Sequence, residues 1–148
     1  MKQLSFKLWM RLVALAHLLL AAMVLFFPNE WAFVLNLGSL GTHLLPGGQP
    51  LISQIEPFWN VAIASGYVMS SLLALFAAQL PQVKGYTGIF LVGKGVMIVA
   101  LATLLFHQAR VLAYIEAVVL DSIIVFVTAA LWGRALYISR NPNSEALA

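Results

Sequence analysis

The sequence contains no cysteine. That excludes disulfides, thiolate nucleophiles, cysteine-ligated metals and iron–sulfur clusters, and leaves the redox compartment open. Charge is nearly as scarce, at 9% of residues against about a quarter in soluble domains. The net charge is +3, yet the basic residues form no face or cluster, so nucleic acid is not an expected partner. Also missing are a phosphate-cradling glycine loop, a GxSxG elbow, an HExxH pair and a CxxCH haem attachment. Gly93-Lys94-Gly95 sits inside an apolar run and lacks the rest of a phosphate loop. Of the three histidines, only His17 falls within such a run, which argues against a haem held between two of them. No metal and no cofactor are expected.

Long apolar runs are what the chain has in plenty, and hydrophobic residues make up 62% of it. About twenty apolar residues cross a hydrocarbon core of about 30 Å as helix. Four runs reach that length: residues 7–27, 58–80, 86–106 and 114–137. The expected fold is all-α, a single membrane domain over residues 1–148, built as an integral membrane antiparallel four-helix bundle. The basic start Lys2, Lys7, Arg11 also suits a signal peptide, but the small residues suited to cleavage lie inside the run, so a retained first span is expected.

The one long connection, residues 28–57, carries Asn29, Asn36, Ser39 and His43 at helical spacing, opposite Trp31, Phe33, Val34, Leu37, Leu40 and Leu44. It reads as a short amphipathic segment in the first extracytoplasmic loop, lying in the membrane interface. Pro46-Gly47-Gly48-Gln49-Pro50 ends it. In the second span Ala62, Gly66, Ser70, Ala74 and Ala78 recur every four positions, and the third contains Gly88, Gly93 and Gly95. Small residues so placed let helix backbones approach closely.

With the N-terminus inside, Lys2, Lys7, Arg11, Lys84, Arg134 and Arg140 fall on the inner side and only Arg110 on the outer. This positive-inside bias puts both termini in the cytoplasm, as in a bacterial inner membrane. Trp9, Tyr86, Trp132 and Tyr137 then make an inner aromatic belt, with Trp31, Trp59 and Tyr114 on the outer side.

Two full charges stand where hydrocarbon should be: Lys94 in the third span and Asp121 in the fourth. From the helical rise, Lys94 lies about 12 Å in from the inner edge and Asp121 about 10 Å in from the outer edge. Their Cα atoms then differ in height by about 8 Å, which a lysine stem largely spans. The two can pair across the helices. Alternatively Lys94 reaches for the headgroups while Asp121 is protonated or bonded to Tyr67 or another helix. Candidate site residues are Asn60, Tyr67, Lys94 and Asp121 as a buried polar network, with His17 as a secondary candidate. Such a network fixes helix register, or it marks a pathway. The expected function is that of a non-catalytic accessory or assembly subunit of a larger membrane complex, sitting in the lipid bilayer and docked on a membrane-protein partner or a second copy. One alternative is transport of a proton or small solute through the Lys94/Asp121 pair. The other is binding or chemistry on a lipid or quinone, with Asp121 as acid or base and Tyr67 as an orienting hydroxyl.

Overall fold

A computed structural model of the chain describes residues 2–30, 57–107 and 112–140. Residues 31–56, which hold most of the expected amphipathic segment, lie outside the described residues. Within them the chain forms four long helices: α1 (Lys2–Phe26), α2 (Pro57–Gln79), α3 (Lys84–His107) and α4 (Leu112–Arg140). All four are long and apolar enough to cross a membrane. The helices begin one to five residues before the apolar runs: Lys2, Gln3, Leu4 and Lys84 are good helix formers even where they are polar, and Gly85 is carried within the first turn of α3.

Local chemistry sets the helix ends. Pro57 opens α2, a position where a missing N–H costs nothing. Pro81 closes it by removing the next backbone donor. The Val83 N–H then donates to Leu80 O at 2.9 Å, a β-turn with proline in its favoured second place. Four residues thus join α2 to α3.

Helix α1 packs most extensively on α2, α3 lies against both α2 and α4, and α1 against α4 closes the ring. Phe6, Met10, Val13 and Ala14 of α1 meet Ala74, Ala77 and Ala78 of α2, together with Phe90 of α3. Further on, Ala21 and Val24 meet Ala64. Numbers rise along α1 as they fall along the face of α2 that it touches.

What is buried and what is exposed are inverted relative to a soluble protein. His17, Ser71, Thr87, Lys94, Asp121 and Thr128 are buried, while Leu8, Leu12, Leu15, Leu18 and Leu19 of α1 point outward. The outward faces of α3 and α4 are likewise Ile89, Val92, Val96, Val99, Leu120, Ile123 and Phe126. Apolar surface on this scale marks a face that meets a membrane or other protein. Two of the outward hydroxyls are satisfied within their own helix: Ser65 donates to Val61 O at 2.7 Å and Thr103 to Val99 O at 2.8 Å.

The small-residue ladder of α2 is only half used. Ala74 and Ala78 are buried against α1, but Ala62 and Gly66 face outward, and Ala64, Ser71 and Ala77 complete the contact instead. A methyl group added at Gly66, Gly88, Gly93 or Gly95 would meet nothing within 4 Å. Among the described residues the glycines therefore mediate no close helix approach.

Candidate functional site

One layer of the structure draws a polar side chain from each helix. The faces of α3 and α4 that enter the interior carry Thr87, Phe90 and Lys94, and Asp121 and Thr128, at spacings of three, four or seven residues. Lys94 Nζ donates to Asp121 Oδ1 at 2.8 Å, with the two side chains 3% and 11% exposed. The ammonium also lies 5.8 Å from the centroid of the Tyr67 ring, within range of a cation–π attraction. His17 stands edge-on to that ring at 5.8 Å and to the Phe90 ring at 6.1 Å. His17 Nδ1 lies 2.8 Å from Val13 O. A carbonyl only accepts, so Nδ1 carries a hydrogen, and in the neutral ring Nε2 remains as an acceptor.

Lys94, Asp121, Tyr67 and His17 thus meet in one layer, His17 through the ring of Tyr67. Asn60 does not join: it lies two turns before Tyr67, about 10 Å away along α2, and among the described residues it has no hydrogen-bond partner. Phe90 escaped the sequence analysis. The signal for it was its position one turn before Lys94, on the same helix face.

Either side of this layer the packing differs. On the Phe6 side all four helices contribute: Met10, Val13, Ala74, Ala78, Phe90, Thr87 and Thr128 are closed to solvent. Trp9 Nε1 donates to Thr128 Oγ1 at 2.9 Å, and Ser71 donates to Ala14 O at 2.8 Å, tying α1 to α4 and to α2. Trp9 therefore turns its polar atom inward rather than toward a headgroup belt. Trp132 Nε1 is also enclosed, Tyr86 stacks on Phe76 at 5.3 Å, and Tyr137 is exposed. Among the described residues, Ala21, Val24 and Ala64 are the buried ones on the Val24 side, and α3 after Lys94 and α4 before Asp121 have no buried side chain. Among those residues the charged layer is the last one to which all four helices contribute.

Thr87 Oγ1 is fully enclosed and has no partner. Thr87→Val is therefore expected to raise stability by about 1 kcal/mol, since it removes an unmet hydroxyl and keeps the branched shape. Thermal unfolding in detergent checks this. A lowered midpoint would mean that the hydroxyl holds something in place.

No group of three or more His, Asp or Glu side chains placed to hold a metal ion occurs among the described residues. Lys94 and Asp121 neutralise one another, so the arrangement can fix helix register. It can also present hydrogen-bonding atoms to a guest in an otherwise apolar interior. Compared with known proteins, the chain matches no family model, no curated protein and no solved structure.

Proposed function

We propose that this is a multi-pass membrane protein, an antiparallel four-helix bundle with both termini in the cytoplasm, that serves as a non-catalytic accessory subunit of a larger membrane complex. The observation that carries this reading is the outward face of α3. There Ile89, Val92 and Val96 surround Gly93, and the space above that glycine is empty. A partner helix, from another subunit or a second copy, fits such a notch, because in lipid helices associate through close packing at small residues. The interior ion pair then serves as a register pin, holding α3 and α4 in the one alignment that presents this face.

Transport draws support from the same ion pair, since intramembrane charges mark pathways. A path from one side to the other would also have to cross the closed layer of Phe6, Met10 and Phe90, where the buried polar side chains among the described residues are the hydroxyls of Ser71, Thr87 and Thr128 and none is ionisable. The accessory reading needs no such path.

Photocrosslinkers placed at Val92 and at Leu18, on two different outward faces, test the proposal. The Val92 probe is expected to give one discrete protein adduct in native membranes, and the Leu18 probe lipid adducts. A lone monomer after mild solubilisation, with no adduct from Val92, would reject it. The absence of native cysteine adds a clean check of topology. Single cysteines at Asn29 and Gln82, both exposed, should react from opposite sides of the membrane.

A further inference from the structure

The charged layer is incomplete as the chain alone builds it. Lys94 has three ammonium hydrogens and uses one on Asp121 Oδ1. Asp121 Oδ2, the Tyr67 hydroxyl and His17 Nε2 have no hydrogen-bond partner among the described residues. Buried polar groups are met almost without exception, by protein, water or ligand, and an unmet one costs roughly 1–3 kcal/mol. Here two donors and two acceptors, with one hydroxyl able to act as either, converge within one layer of an apolar interior. The fully enclosed orphans of the structure are elsewhere, at Thr87 Oγ1 and Trp132 Nε1. Asp121 and Tyr67 keep some exposure and so border space that another molecule can enter.

Three features define what that molecule is. It is neutral at this end, because the lysine and the aspartate already cancel and a charged guest would be left uncompensated. Its polar end both accepts, from Lys94 and Tyr67, and donates, to Asp121 or His17. The rest of it is apolar, because entry from the Phe6 side is closed, while on the Val24 side the walls available are Ile63, Ile98, Ile115 and Val118, all half-buried. We infer that the layer of His17, Tyr67, Lys94 and Asp121 binds the hydroxyl- or carbonyl-bearing head of a neutral membrane amphiphile, whose tail leaves between the helices on the Val24 side. Two sources carry that chemistry, an isoprenoid quinol and a diacylglycerol. The site goes beyond the accessory reading and does not depend on it, since all four of its residues belong to one chain.

The full chain, purified in mild detergent, is titrated separately with a short-chain ubiquinol and with dioctanoylglycerol. Thermal midpoint and native mass spectrometry provide the readouts. One of the two is expected to raise the midpoint saturably and to appear as a one-to-one adduct, and which one does so identifies the source. Tyr67→Phe, which keeps the ring under Lys94, should weaken binding about three- to tenfold, the worth of one hydrogen bond. His17→Gln should weaken it similarly and serves if the first variant does not fold. Val92→Ala, on the outward face, should leave it unchanged. Absence of saturable binding by both probes would mean that water alone completes the layer and would overturn the inference. So would native affinity in both layer variants. Crosslinking from Val92 is read in membranes and is unaffected by either result.

Discussion

Lys94→Met is expected to destabilise the folded protein by about 3–5 kcal/mol, since it strands the Asp121 carboxylate in a closed layer without its partner. The ammonium and carboxylate are 2.8 Å apart and their side chains only 3% and 11% exposed, so the little water that reaches the carboxylate does not replace the missing cation. Removing both charges is a different matter. Lys94→Met combined with Asp121→Leu should come within about 1 kcal/mol of the native chain, because apolar side chains of similar size replace a buried ion pair at little cost. The non-additivity of the two changes, measured by reversible unfolding in mixed micelles for all four proteins of the cycle, isolates the pair from its surroundings. If Lys94→Met alone were as stable as the native protein, the ion pair would be idle, and the proposed register pin would go with it.

Phe126→Asp should have an effect of similar size for an unrelated reason. Phe126 is 74% exposed and touches little of its own chain. It lies twelve residues past Tyr114, about 18 Å along α4, near the middle of a core of about 30 Å. A carboxylate there costs roughly 2.5–3.5 kcal/mol in the membrane. In water the same exposed substitution would fall within about 0.5 kcal/mol of zero. The fraction of protein integrated into the membrane after alkaline extraction should therefore drop severalfold. Full integration at native yield would show that α4 does not face hydrocarbon, and the membrane reading would fail.

How much of this was legible in the sequence depended on the kind of signal. Four helices follow from the length of the apolar runs, and their ends were legible to within a few residues wherever a proline marks them, as at Pro57 and Pro81. Which face of each helix turns inward was harder. In a soluble protein, hydrophobicity separates the two faces. Here both faces are apolar, and the inner one is recognised only by its rare polar atoms. That is why Lys94, Asp121 and Tyr67 could be named in advance while Phe90 could not. It is also why Gly66 and Ala62, which continue a regular ladder, end up outward. Periodicity marks a stripe without saying what lies against it. His17 was underrated because a lone histidine carries no spacing pattern, and its neighbours Tyr67 and Phe90 come from two other helices. Asn60 shares the helix of Tyr67 and one stripe of polarity, but two turns of rise separate it from the layer.

The ion pair joins two helices that are consecutive in the chain, α3 ending at His107 and α4 beginning at Leu112. During biosynthesis in a bilayer, each of these segments alone would present an uncompensated charge to the acyl chains as it left the insertion machinery. Entering together as a folded pair, they present none. The partner of each charge thus lies on the adjacent segment, with α3 leaving the ribosome just before α4, so on the proposed membrane reading partitioning into the bilayer is a cooperative event of two segments rather than two independent ones.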